Sequence, residues 1–242
     1  MPSPHTARTQ PPPYNASLAL ILLRAADPKL GRLIDRVPFT LQIAPKQPPF
    51  EALAEAIIYQ QIHGKAAASI HAKLLRSFSA DPLDPRPAAR LIHPTPEQLL
   101  DAPNDQLRSA GLSANKALAL RDLAAKTLDG TVPSLARIRK MDDDTIVDHL
   151  IQVRGIGRWT VEMFLMFRLG RPDVLPLDDY GIRKGFALTF LGLKPTTKVT
   201  PDLLATKAQI IRRAKKWAPW RSVASWYMWR ACDLAAEAAT EK

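Results

Sequence analysis

Cysteine is almost absent: Cys232 is the one cysteine in 242 residues. That excludes an internal disulfide and any iron–sulfur cluster held by four thiolates. No run of about 18 apolar residues occurs, so no membrane-spanning helix is expected. No apolar core follows the basic residues at the start, so no secretory signal is expected either. The expectation is therefore an intracellular protein, and the sequon Asn15-Ala16-Ser17 carries no weight. No His/Cys/carboxylate grouping points to zinc; His5, His71, His93 and His149 read as surface or core residues. Acid is also short, with 23 Asp and Glu against 34 Lys and Arg, a formal net charge of +11.

What is present fits a folded protein that meets a polyanion. Hydrophobic residues make up 46%, enough for one sizeable domain or two small lobes. The positive charge is not spread evenly. Arg183, Lys184, Lys194, Lys198, Lys207, Arg212, Arg213, Lys215, Lys216 and Arg221 face a single acid, Asp202, between Tyr180 and Arg221. Acids gather elsewhere, as at Asp142–Asp144. An oriented anionic partner, nucleic acid first, explains this better than a generic soluble surface.

Helical spacing recurs along the chain, and the class expected is all-α with short connections. Residues 1–13 are proline-rich and read as a disordered tail, and 79–96 as a proline-rich loop. Helices are expected over Asn15–Ala26, Phe50–Ile62, Lys65–Phe78, Leu99–Ala110 and Ala114–Leu128, the last capped by Ser113 and closed by Gly130. Leu135–Lys140, Asp142–Val153, Trp159–Leu169, a helix capped by Asp178 or Asp179 and running to Leu191, Pro201–Lys216 and Val223–Ala238 complete the set. Val37–Ile43 and Asp173–Leu177 read as extended.

The most informative stretch is Asp148-His-Leu-Ile-Gln-Val-Arg-Gly-Ile-Gly-Arg-Trp-Thr160. One helix ends at Gly155-Ile156-Gly157 and another begins at once, with Ile156 tucked between them. Two glycines leave backbone N–H groups bare at the start of the second helix, where the helix dipole favours a phosphate oxygen. Such a contact is blind to base sequence. The turn alone also admits a purely structural αα-turn. A dinucleotide fingerprint fits worse, because no third glycine follows and the preceding segment is helical.

Trp159 follows the turn, and Leu175-Pro-Leu-Asp-Asp-Tyr-Gly-Ile-Arg-Lys-Gly185 places Asp179 22 residues beyond Gly157. With Ile57–Ala67, Ala110–Lys116 and Trp217–Trp229, this pattern resembles the helix–hairpin–helix (HhH-GPD) DNA glycosylase superfamily over about residues 50–232. Within it, the sequence is similar to the 3-methyladenine DNA glycosylase II branch, the AlkA and Mag type, in a compact form without an extra N-terminal β-domain. The resemblance implies two helical lobes flanking a DNA-binding cleft, one from about 50–165 and the other from 14–49 plus 166–242. It implies a monomer acting on double-stranded DNA that contains damaged bases, flipping the target base out of the duplex.

The resemblance also assigns roles. Asp179 is implied as the catalytic carboxylate, stabilising positive charge on the sugar; a helix N-terminus favours the ionised form of such a group. Trp159, Trp229 and Met163 are implied in a base pocket, where indole faces attract an electron-poor alkylated purine. Trp217 and Trp226 read as structural. Gln61, Ile62 and His63 are implied at the minor groove, with Ile62 an apolar wedge; the competing reading makes Ile62 core and His63 a cap. Gly155, Gly157, Thr160, Lys184 and Arg221 are implied as phosphate contacts.

No cofactor is required. Hairpins of this superfamily often hold a monovalent cation, Na+ or K+, and the resemblance implicates the backbone carbonyls of Ile151, Val153 and Ile156. A lysine at position 159 is what strand-cutting relatives use; Trp159 instead implies a monofunctional enzyme that leaves an abasic site. The alternatives are a glycosylase for oxidised or deaminated bases and a non-catalytic helix–hairpin–helix DNA-binding module.

Overall fold

The computed structural model describes residues 9–44, 46–79 and 91–240. The expected tail lies outside the described residues over 1–8, and the proline-rich loop over 80–90. No strand is found among the described residues, so the all-α expectation holds and Val37–Ile43 is irregular rather than a strand. No helix is long and apolar enough to cross a membrane among the described residues. The chain divides into two compact units, one built on Ala44–Leu169 and the other on Pro11–Ile43 with Gly170–Lys242.

In the first unit, α3 (Pro49–Tyr59), α4 (Gly64–Ser77), α5 (Pro96–Asp101), α6 (Asn104–Ser109), α7 (Ala114–Leu128), α8 (Leu135–Ile138), α9 (Asp143–Leu150) and α10 (Arg158–Phe164) follow in order. The core joins Leu53, Ile57 and Ile58 of α3 to Leu120 and Leu123 of α7, Ile146 and Leu150 of α9, and Val161 of α10. The helix expected over Leu99–Ala110 is two helices. Pro103 lacks an N–H and forces Ala102 out of the helical region, to ψ 131°. Ser113 caps α7 as expected, accepting from the Lys116 N–H at 3.4 Å. Beyond Phe164 the helix continues as a π-helical turn, Leu165–Leu169.

The second unit contains α1 (Ala16–Ala26), α2 (Pro28–Ile34), α11 (Tyr180–Phe190), α12 (Lys207–Ala214) and α13 (Arg221–Thr240). The stretch Pro201–Lys216, expected as one helix, begins as a short 3-10 turn and restarts at Lys207. Thr206 and Gln209 form a reciprocal capping box there, which defines a new start. The pairing of α11 with α13 dominates, through Ile182, Phe186 and Ala187 against Val223, Tyr227 and Met228, all buried. Trp217 and Trp226 are buried at 1% and 4% exposure and are structural, as expected.

One buried carboxylate organises this unit. Asp27 is wholly buried, yet it caps α2 and receives Arg213 at 2.6 and 2.7 Å and the Trp217 indole N–H at 2.9 Å. Burial alone would raise its pKa, but these donors and the Lys216 charge outweigh it and hold the carboxyl below the ordinary range.

Candidate nucleic-acid interface and carboxylate site

The hairpin forms as expected within the first unit. α9 ends at Leu150, Gly155 turns the chain at φ +79°, and Gly157 caps α10 with no side-chain hydrogen bond. A left-handed residue here costs about 1–2 kcal/mol unless it is glycine. Ile156 is 4% exposed, and its N–H reaches the Val153 carbonyl at 3.0 Å. Gly155 and Gly157 are exposed. Trp159 stands out at 42% exposure, whereas Met163 is buried at 8%. An indole near the start of a helix brings a large aromatic face to the hairpin's rim.

A second break lies between α3 and α4. α3 ends at Tyr59, earlier than the periodicity suggested, and Gln61 adopts φ +58°. A left-handed non-glycine residue stores strain of about 1–3 kcal/mol and marks a constrained turn. Gln61 is exposed and Ile62 is 38% exposed, so neither is core. His63 is also exposed, but its Nδ1 accepts from the Lys65 N–H at 3.3 Å, so it caps α4.

Two side chains without any role assigned from the sequence tie this turn down. The Lys116 ammonium donates to the Ile58 and Gln60 carbonyls at 2.5 and 2.9 Å, satisfying the end of α3. Burial pushes that ammonium below its ordinary pKa. The Gln60 amide donates to the Gly155 carbonyl at 3.0 Å and to Thr160 Oγ1 at 3.4 Å. Turn and hairpin are thus held in register by one glutamine.

The carboxylate site is in the second unit. Asp179 caps α11: its Oδ1 accepts from the Ile182 N–H at 2.8 Å. The same oxygen accepts from Trp229 Nε1–H at 2.9 Å. Both partners are half-buried. Gly181 permits the approach, because a Cβ there would stand 2.6 Å from the indole Cδ1 and 3.1 Å from Asp179 Oδ1. Trp229, expected only as a stacking face, is also the group that orients the carboxylate. Asp178 points elsewhere and pairs with Lys207. Lys184 is half-buried along α11.

The stretch from residue 54 to residue 209 matches the family model described as HhH-GPD superfamily base excision DNA repair protein. The chain belongs to that superfamily. It is 34% identical to DNA-3-methyladenine glycosylase 1 of Schizosaccharomyces pombe over 190 residues, 78% of this chain and 75% of that protein. The solved structure of S. pombe 3-methyladenine DNA glycosylase Mag1 in complex with abasic DNA superposes with TM-score 0.71 at 32% identity. It covers 88% of this chain and 95% of its own. DNA-3-methyladenine glycosidase from Bacillus halodurans superposes with TM-score 0.73 at 28% identity, over 95% and 94%.

Two expected phosphate contacts of this HhH-GPD chain have partners within the fold. The Arg221 guanidinium is engaged by the Asp173 carboxylate, Nε at 2.6 Å and a terminal nitrogen at 2.7 Å, and its N–H is held by the same residue. It therefore braces the start of α13. Thr160 is buried at 7%, its hydroxyl receiving Gln60 and its N–H bonded to the Gly157 carbonyl, so it serves the hairpin from inside. Much of the basic run is likewise used internally: Arg213 and Lys216 on Asp27, Lys207 on Asp178, and Arg183 on the Ala205 carbonyl. Net charge located a basic region without showing which cations its own acids had taken.

Gln60, Lys116, Gly181 and Asp173 are the residues the sequence did not reveal. Gln60 and Lys116 lay inside the stretches that carried the family resemblance. That signal marked them without naming what they touch.

Proposed function

We propose that this chain is a monofunctional DNA glycosylase that hydrolyses the N-glycosidic bond of alkylated purines, of the 3-methyladenine and 7-methylguanine type, in double-stranded DNA. The observation that carries the reading is the Asp179 carboxylate, fixed at the head of α11 by a backbone N–H and an indole N–H on one oxygen. The names of the relatives point to the same substrate class.

The duplex is opened by extruding the target nucleotide, and Gln61 and Ile62 fill the gap from the minor groove. Their exposure and the constrained backbone between α3 and α4 suit a probe that must not fold back. Gly155 and Gly157 present backbone N–H groups to a phosphate, with Lys184 adding charge. The cationic base stacks on the exposed Trp159 indole, worth about 1–2 kcal/mol for a desolvated face. Met163, buried one turn beyond Trp159, supports that side.

As the C1′–N bond breaks, its electron pair leaves with the base, neutralising the charge that alkylation placed there. Positive charge then develops on the sugar, and the Asp179 carboxylate stabilises it. The oxygen of water forms the new bond to C1′, and its proton passes to solvent through the carboxylate. The product is an abasic site. Trp159 has no amine, so no Schiff base forms there and the strand stays intact. The neutral carbonyls of Ile151, Val153 and Ile156 suit the modest charge of Na+ or K+; Val153 already accepts from the Ile156 N–H and keeps a second lone pair. A cation there would stiffen the hairpin. The enzyme acts as a monomer.

The test is base release from alkylated duplex DNA by the wild type and Asp179→Asn, with abasic sites revealed by hot alkali. The wild type releases bases and strands break only after alkali; the variant still binds DNA and is slower by about 100-fold or more. A folded wild type that releases no alkylated base overturns the reading.

A further inference from the structure

The hairpin rests on three positions of α7, Ala119, Asp122 and Lys126, spaced three and four residues apart and so on one side of that helix. The Ala119 methyl stands 3.5 Å from where a Cβ on Gly155 would lie. Asp122 Oδ2 accepts the Arg154 N–H at 2.7 Å. The Lys126 ammonium lies 3.0 and 2.8 Å from the two Asp122 oxygens and also donates to the Gln152 carbonyl. Both side chains are about one-quarter exposed, at 25% for Lys126 and 29% for Asp122.

These contacts act on consecutive peptide planes. Lys126 fixes the plane between Gln152 and Val153, and Asp122 fixes the next one, between Val153 and Arg154. Gln60 fixes the plane between Gly155 and Ile156. A phosphate bound by backbone N–H groups needs those groups already aimed, because each disordered plane must be ordered on binding. The geometry points to Asp122 and Lys126 as positioning residues that set the hairpin for DNA phosphate. This rests on the reading of the hairpin as a phosphate site.

The pair also has an electrostatic asymmetry. A carboxylate beside a phosphate site repels the ligand unless a cation cancels it. Lys126 is that cation, while it pulls on the Gln152 carbonyl. Removing Lys126 alone therefore leaves both a loosened peptide plane and an exposed negative charge. Removing both charges leaves only the loosening.

The experiment measures duplex binding by the full chain, single-turnover base release at saturating DNA, and thermal stability. Lys126→Met raises Kd about tenfold, the scale of one charge-assisted hydrogen bond. Asp122→Asn raises it about threefold, and the double variant binds more tightly than Lys126→Met alone. The saturating rate and the melting temperature stay near wild type in all three. A purely structural pair would lower stability or rate without this reversal in affinity. Unchanged Kd in Lys126→Met, or a double variant weaker than either single, overturns the proposal.

Gly157→Asp separates the two ideas. Gly157 lies at φ −96° with nothing within 4 Å of a Cβ, so the side chain fits and places a carboxylate at the phosphate site. If Gly157→Asp binds like wild type, the phosphate reading itself fails. If Gly157→Asp weakens binding and Lys126→Met does not, the phosphate reading stands and only the positioning role falls.

Discussion

In the unit built on Ala44–Leu169, the hairpin glycines border open space: a Cβ on Gly157 meets nothing within 4 Å, and one on Gly155 meets only the Ala119 methyl. In the unit built on Pro11–Ile43 and Gly170–Lys242, the glycines of α11 are pressed against α13. A Cβ on Gly185 would stand 1.9 Å from the Met228 carbonyl oxygen, and one on Gly181 2.6 Å from the Trp229 ring. The first pair keeps backbone accessible to something outside the fold; the second lets two helices of the fold come together. Glycine in this superfamily chain therefore carries two meanings, and the spacing of the letters does not distinguish them.

The sharpest test of that difference sets Gly185→Ala against Gly157→Ala. The first forces a methyl into a backbone carbonyl that cannot step aside without moving α13, and overpacking of this kind costs about 3 kcal/mol or more. The second adds a methyl to solvent at an ordinary φ, with an expected change within about 0.5 kcal/mol. Urea unfolding of both variants measures it. Equal stability would mean that α11 and α13 do not cross as closely as described.

Buried charge separates the units as well. Asp27 is surrounded by Arg213, Lys216 and Trp217, so its carboxylate contributes stability above the ordinary carboxyl pKa and loses it as the pH falls through the range below. The first unit also buries a carboxylate, Glu55, but sets two imidazoles beside it. His71 and His93 lie 5.2 Å apart beside Tyr59, with Glu55 near and itself paired with Arg168. Burial pushes both imidazoles down to about 4. The unfolded chain, with imidazoles near 6.5, binds more protons than the folded chain between those values. Stability of the first unit is thus full above pH 6.5 and drains away as the pH falls towards 4, at about 1.4 kcal/mol per unit of displacement. Hydrogen exchange resolved by unit, at pH 7, 5.5 and 4, measures this. His71→Leu flattens the profile; an unchanged profile in that variant assigns the acid sensitivity to other groups.

How much of this was legible beforehand depends on the range of the interaction. The hairpin, the Ser113 and Asp179 caps and the buried Ile156, Trp217 and Trp226 follow from neighbours within a few residues, and the sequence displayed them. The break at Pro103 is equally local, set by the missing N–H, although the apolar spacing runs straight through it. The Asp173 partner of Arg221 is not legible in the sequence, because it sits 48 residues away. Gln60 was passed over because the carbonyl it holds is 95 residues away. Periodicity reports which side of a helix faces inward; it does not report which distant group waits there.

Trp229 and Asp179 are such a distant pair, 50 residues apart, and they offer the finest test of what the packed glycines are for. Gly181→Ala would push the indole from its place while leaving both partners' chemistry unaltered, its Cβ pressing hardest on the ring. Losing one hydrogen bond to a carboxylate is worth about tenfold in rate if that bond aims the oxygen at the developing charge. The expected result is base release about tenfold slower at saturating DNA, with thermal stability reduced far less than in Gly185→Ala. Trp229→Phe should slow the reaction at least as much, and the double variant should be no slower than Trp229→Phe, since both remove the same contact. Wild-type rates in Gly181→Ala would show that the carboxylate is held by the α11 backbone alone. The close approach of the two helices would then serve stability and leave catalysis untouched.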